Sequence, residues 1–194
     1  MLGVSRSSVR EGLRVLQMIG LVESRVGQGT FVGHFQLEEI LGQMNFRLRP
    51  SDADLVDLME MRELLELKAV HLAAGRIQKD DLDEMKDALQ RMEENLQRGE
   101  PWIEEDMAFH KVIFRASGNG VLLMIVDAIT DLLLSVRHAG LRFVDPDDEI
   151  AQHTAIYQAL KDGDADRASE LMAIHMRTAA TQMLAAVEID RSAT

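Results

Sequence analysis

Apolar residues recur at helical spacing along almost the whole chain, and the exceptions fall near its start. From Ser5 the positions Val9, Leu13, Leu16 and Met18 or Ile19 form one apolar stripe three or four residues apart, which predicts a helix with Ser5 or Ser7 as its cap and Gly20 as its stop. Two short β-prone runs follow, Leu21-Val-Glu-Ser-Arg25 and Thr30-Phe-Val32. They are separated by Val26-Gly-Gln-Gly29, whose glycines can take the positive φ of a tight hairpin. Residues 34–50 mix Leu37, Ile40, Leu41 and Met44 with the breakers Gly42 and Pro50 and read as a linker helix. Ser51-Asp-Ala-Asp54 has the capping chemistry to open a long helix carried by Leu55, Leu58, Met59, Leu65 and Ala69 as far as Gly75.

Five more helices are expected at about Lys79–Arg98, Trp102–Ala116, Val121–Phe143, Asp147–Lys161 and Ala165–Ile189. Gly99-Glu-Pro101, Ser117-Gly-Asn-Gly120, Asp145-Pro146 and Asp162-Gly-Asp164 separate them, each short enough to fold a helix back on its neighbour. The expected fold class is therefore mainly α: a helix and hairpin, then an antiparallel six-helix bundle.

Composition sharpens this picture. With 194 residues, 46% of them hydrophobic, the chain can form a sizeable core or a small module joined to a larger domain. It has no cysteine, so any metal must be held by His, Asp, Glu or water. The absence of an apolar run of about eighteen residues, or of a charged segment followed by an apolar one at the N-terminus, argues for a cytoplasmic protein without a membrane partner. The net charge of −12 counts against nucleic acid, yet Arg6, Arg10, Arg14 and Arg25 outnumber Glu11 and Glu23 in the first 33 residues. A basic head on an acidic body confines nucleic-acid binding to the head.

The stretch from Leu2 to Val32 resembles the DNA-binding domain of GntR-family regulators. It carries a Ser-capped turn, a short helix with outward arginines, a Gly-Leu-Val exit and a Gly-x-Gly-Thr-Phe-Val wing, in that family's order. The resemblance implies a winged helix-turn-helix. A recognition helix sets its first residues against base edges and phosphates. Arg6 and Arg10 are thus expected to contact bases, Ser5, Ser7 and Ser8 to position the helix, and Gly27 to approach the minor groove. The alternative is an amphipathic helix that only packs. Because the family's domain starts some thirty to forty residues earlier, the motif is expected to be truncated and the chain as given to bind operator DNA weakly or not at all.

Ligand-type side chains stand out in the acidic body. Asp106 and His110, four apart, share a helix face with Cβ atoms roughly 6 Å apart, and antiparallel neighbours could bring His153 and His175 to the same point. Residues 51–189 resemble the ligand-sensing FCD domain of the FadR subgroup of GntR regulators. The resemblance rests on Leu64–Ala74, Asp106-Met-Ala-Phe-His110 with Ala116-Ser-Gly-Asn119, His153–Asp164 and Ala168–His175. It implies that Asp106, His110, His153 and His175 coordinate one divalent transition metal, zinc first, with nickel, manganese or iron as other candidates. An open coordination position implies a small organic acid or sugar acid as effector, with Arg62, Arg137 and Asn119 as candidate contacts.

The remaining candidates have ordinary explanations. His71 is expected to pack beside Ala73 and Ala74, His34 falls in the linker, and His138 stands near the cavity without counting as a ligand. The methionines read as core filling, Trp102 as a helix anchor, and the acidic run before Asp106 as a solvated helix start. A metal-dependent hydrolase is the main rival, but it needs a base that is not a ligand, and Glu105 points about a hundred degrees away from Asp106. A helical dimerisation module with only a structural ion is the third reading. The domains expected are 1–33 for DNA binding, 34–50 as linker and 51–194 for effector sensing and dimerisation, in a homodimeric, ligand-responsive transcription regulator.

Overall fold

The computed structural model describes residues 5–18, 21–32, 52–127, 130 and 144–192. The predicted linker at 34–50, His34, Arg137 and His138 lie outside them. The chain divides into two compact units, 1–48 and 49–194.

In the first unit, α1 (Arg6–Met18) is capped by Ser5, whose Oγ accepts the Ser8 N–H at 3.1 Å. Strands β1 (Val22–Arg25) and β2 (Gly29–Val32) pair antiparallel in the register Val22↔Val32 to Arg25↔Gly29. The turn between them relies on Gly27, whose φ of 73° is costly for residues with a Cβ. The guanidinium of Arg25 lies 5.0 Å from the Phe31 ring centroid on the facing strand, a contact that ties the hairpin together, and also pairs with Glu23 on its own strand. Val9, Val15 and Leu16 on α1 are exposed.

The second unit is helical: α2 (Asp52–Ala74), α3 (Lys79–Arg98), α4 (Ile103–Ala116), α5 (Pro146–Lys161) and α6 (Ala165–Ser192), with a further helical segment at 120–127. The helix ends are held by identifiable bonds. Asp81 accepts the Gln78 N–H at the start of α3, and Gly99, at φ 67°, closes that helix. Asp145 accepts the Asp147 N–H ahead of Pro146, and Asp164 accepts the Arg167 N–H. Gly118 is at φ 68°, and a Cβ there would stand 3.1 Å from the Arg76 guanidinium, which itself donates to the Ser117 carbonyl.

Helix α2 packs on α4, α5 and α6, α3 on α4 and α5, and α5 on α6. The core between them holds Ala69, Val70, Ala73, Met85, Phe109, Ile113, Ile156, Leu160, Met172 and Met176, so these methionines fill space as their spacing suggested. Trp102 is buried at the start of α4. His71 departs from expectation: it lies on the outer side of α2 and is exposed. Ala73, two residues on, is turned about two hundred degrees from it around the helix and points inward instead.

Candidate functional site

The stripe of α2 that faces the core runs Leu55, Met59, Arg62, Glu66, Ala69 and Ala73, spaced three or four apart, with Val70 beside it, and all are buried. Two of its members are charged. Burying an isolated charge is prohibitive, so each needs a partner. Arg62 donates from Nε to Glu66 Oε1 at 3.2 Å, its Nη2 lies 3.2 Å from the same oxygen, and the two side chains are 2% and 0% exposed. The other carboxylate oxygen, Oε2, accepts from His110 Nδ1 at 2.9 Å.

His110 leads to the centre of the bundle. Helix α4 contributes Asp106 and His110, α5 contributes His153 and α6 contributes His175. All four are buried, and one ligand atom from each lies within 4.8 Å of every other. His153 Nε2 is 3.1 Å from Asp106 Oδ1, His110 Nε2 is 3.2 Å from His175 Nε2, and His110 Nε2 is 3.6 Å from Asp106 Oδ1. Ligand atoms held at roughly 2.0–2.2 Å from one ion stand about 3.0–3.5 Å apart when adjacent. The side chains therefore fit a single small cation.

The three imidazoles turn their outer nitrogens to oxygen. His110 Nδ1 meets Glu66, His153 Nδ1 meets the Glu149 main-chain carbonyl at 2.9 Å, and His175 Nδ1 meets Gln152 Oε1 at 3.0 Å. Phe109 walls the cluster, its ring edge-on to His153 at 4.9 Å and to His110 at 5.8 Å.

Burial opposes charge on every one of these groups. At His110 it is outweighed by Glu66 and then by Asp106, which raise the imidazole from 6.5 to about 9. Burial likewise favours the neutral acid at Glu66, but His110 and Arg62 overcome it and hold the carboxyl below its usual value. His175 moves the other way, pushed well below 6.5 by burial and then by His153 and His110. Between His110 and His175, the proton that balances Glu66 and Asp106 thus resides on His110.

Two cavities flank the cluster. One of about 470 Å³ is lined by Arg62, Glu66, Met107, His110, Lys111 and Phe114 among others. A smaller one, of about 40 Å³, is lined by Arg62, Trp102, Asp106, Glu149, His175 and Gln182 among others. Arg62 reaches both. Asn119 lines neither: its side-chain oxygen accepts the Val121 and Leu122 N–H groups and caps the helical segment that follows. The carboxylate Glu66 and the amide Gln152 were not singled out from sequence. A signal existed for Glu66, because a carboxylate in register with Met59, Ala69 and Ala73 must be buried and therefore partnered.

In the first unit Ser5, Arg6, Ser7, Ser8 and Arg10 are exposed on the first two turns of α1, and Gly27 is exposed at the hairpin tip. No described helix is long and apolar enough to cross a membrane.

Comparison with known proteins gives matches over both units. Residues 57–178 match the FCD domain family and residues 1–32 match the bacterial regulatory proteins of the gntR family. The HTH-type transcriptional regulator LutR of Bacillus subtilis strain 168 is 32% identical, with 89% of this chain and 82% of that protein covered. A protein of Escherichia coli strain K12 named for regulation of an L-lactate dehydrogenase operon is 34% identical, over 94% of this chain and 73% of its own. In fold, the chain is similar to the metal-free FCD domain of the transcriptional regulator TM0439, with a TM-score of 0.59 at 21% identity over 72% of this chain and 99% of that one.

Proposed function

Since the chain belongs to the GntR family of bacterial transcription regulators and carries the family's FCD domain, not an enzyme's catalytic domain, we propose that its helical unit binds one divalent metal and a small carboxylate effector and thereby controls operator binding by its N-terminal unit. One observation carries the reading: four buried ligand atoms from three helices meet within 4.8 Å. Asp106, His110, His153 and His175 would hold the cation, and three imidazoles with one carboxylate suit zinc, with nickel, manganese or iron as alternatives. A bound cation would supply a Lewis-acidic position for an effector carboxylate.

The cationic groups that would meet an anion beside it are Arg62 and Lys111, set among the carboxylates of Glu66, Glu104 and Asp127. Arg62 lines both cavities, and a guanidinium matches carboxylate geometry. The relative named for an L-lactate dehydrogenase operon supports a small hydroxy acid as the class of effector. The domains we assign are 1–33 for DNA binding, 34–50 as linker and 51–194 for sensing and dimerisation, in a cytoplasmic homodimer. Arg6 and Arg10 would read bases, with Ser5, Ser7, Ser8 and Gly27 positioning the backbone. Effector binding would favour one arrangement of the helices and, through the linker, one spacing of the paired recognition helices.

The test begins with elemental analysis of protein purified without chelator, followed by thermal shifts with a panel of small hydroxy and sugar acids. Bound metal in about one equivalent per chain, and carboxylate stabilisation abolished in His153→Ala, are expected. Metal without any carboxylate effect would leave only a structural ion, and operator affinity insensitive to a bound acid would remove the coupling.

A further inference from the structure

The outer nitrogens of the three histidines carry information that the ligand set alone does not. A neutral imidazole has one N–H and one lone pair, and whichever nitrogen donates leaves the other as the ligand. At His153 the Nδ1 partner is a main-chain carbonyl, which only accepts, so Nδ1 carries the hydrogen and Nε2 faces the cluster as a lone pair.

At His175 the partner is a side-chain amide, which could in principle present either end. Its orientation is fixed from outside. Gln152 Nε2 donates to the Asp148 carboxylate at 2.7 Å, and that bond leaves Oε1 as the atom turned to His175 Nδ1. The reversed amide would set its oxygen against the Asp148 carboxylate and its NH₂ against Nδ1, forcing the ring hydrogen onto Nε2 and removing a ligand. At His110 the partner is Glu66, whose other oxygen accepts from the Arg62 guanidinium, so that the paired carboxylate can only accept from Nδ1.

We propose that Glu66 and Gln152 are positioning residues of the metal site, with Arg62 and Asp148 as their outer supports, each fixing the one imidazole tautomer that turns an Nε2 lone pair toward the cation. The proposal rests on the metal reading above and adds two residues to it. The two differ in strength. Glu66 is a buried anion and makes His110 a more basic ligand, whereas Gln152 is a half-buried neutral acceptor reached from the rim of the bundle.

Zinc titration of the full chain tests this with wild type, Gln152→Leu, Gln152→Glu, Glu66→Gln and His175→Ala. Loss of an outer partner costs about 10–100-fold in metal affinity. That loss is expected for Gln152→Leu and Glu66→Gln, with Gln152→Glu falling between Gln152→Leu and wild type, because it keeps an acceptor toward His175 Nδ1 but sets its second oxygen against the Asp148 carboxylate. Because Gln152 sits at the rim, its variants retain the fold even if Glu66→Gln does not. Nitrogen-15 spectra of the zinc-loaded protein provide a readout that general destabilisation would not mimic: a protected Nδ1–H on all three rings, lost at His175 in Gln152→Leu.

Wild-type affinity in both Gln152→Leu and Glu66→Gln, or zinc bound through Nδ1 of His175 in wild type, would overturn the proposal while leaving the metal site intact. A wild-type chain that binds no cation would overturn both, and His175→Ala distinguishes that outcome by behaving no differently from it.

Discussion

Metal binding here should be a proton exchange, and its size follows from His110. Without a cation the buried charges of Glu66 and Asp106 hold that imidazole at about 9, so at pH 7 it carries a proton on the nitrogen that must become a ligand. A cation has to displace it. From pH 7 zinc affinity should therefore rise about tenfold per pH unit and level off as pH nears 9, roughly 50-fold in all, or about 2.3 kcal/mol. His175, pushed well below 6.5, adds no proton to this count.

The stability of the metal-free fold runs the opposite way. A raised folded value contributes stability that is fully present below 6.5 and is lost as pH rises through about 9. Calorimetric titrations in buffers of different ionisation enthalpy count the protons directly. One proton released per zinc at pH 7 is expected, together with a loss of metal-free stability of at most about 3 kcal/mol between pH 6.5 and pH 9. Affinity flat over that range, or no proton released, would refute the assignment of the charge to His110.

Other consequences can be measured separately. Arg62→Met should cost about 3–5 kcal/mol in urea unfolding, since it leaves the buried Glu66 carboxylate without its guanidinium; a cost below about 1 kcal/mol would mean that the pair is not buried in solution. Phe109→Ala should cost about 3–5 kcal/mol and loosen His153, against which the ring stands edge-on at 4.9 Å, so that zinc affinity falls with stability; unchanged affinity would show that the ring packs without positioning. Zinc at a thousand times its dissociation constant should stabilise wild type by about 4 kcal/mol, read as a thermal shift that is absent in His153→Ala. In operator-binding protein, Arg10→Ala should relax preference at one base pair by about 1–3 kcal/mol; a uniform loss across sequences with a shallower salt dependence would make Arg10 a phosphate contact instead.

The helices were legible because their cause is local. Lys79–Arg98 follows from the Asp81 cap and the Gly99 stop, and Pro146–Lys161 from Asp145 and Pro146. Such bonds span only a few residues, and an apolar stripe announces which face turns inward. Four ligand-type residues were also visible as types on particular helices. Their meeting was not dictated by any one helix. It depends on how α4, α5 and α6 pack.

The rest is a matter of pairing across the bundle. His71 shows how two helical steps separate a solvent-facing ring from the buried Ala73, and Asn119 shows a polar residue used for capping when a cavity role was expected. Glu66 and Gln152 take their roles only from partners 44 and 23 positions away, His110 and His175. Sequence by itself determined where this chain turns and which side chains carry chemistry, because those depend on neighbours along the backbone. Only the tertiary structure decided which nitrogen of each ring faces inward, because a tautomer is chosen by an acceptor that packing brings from elsewhere in the fold.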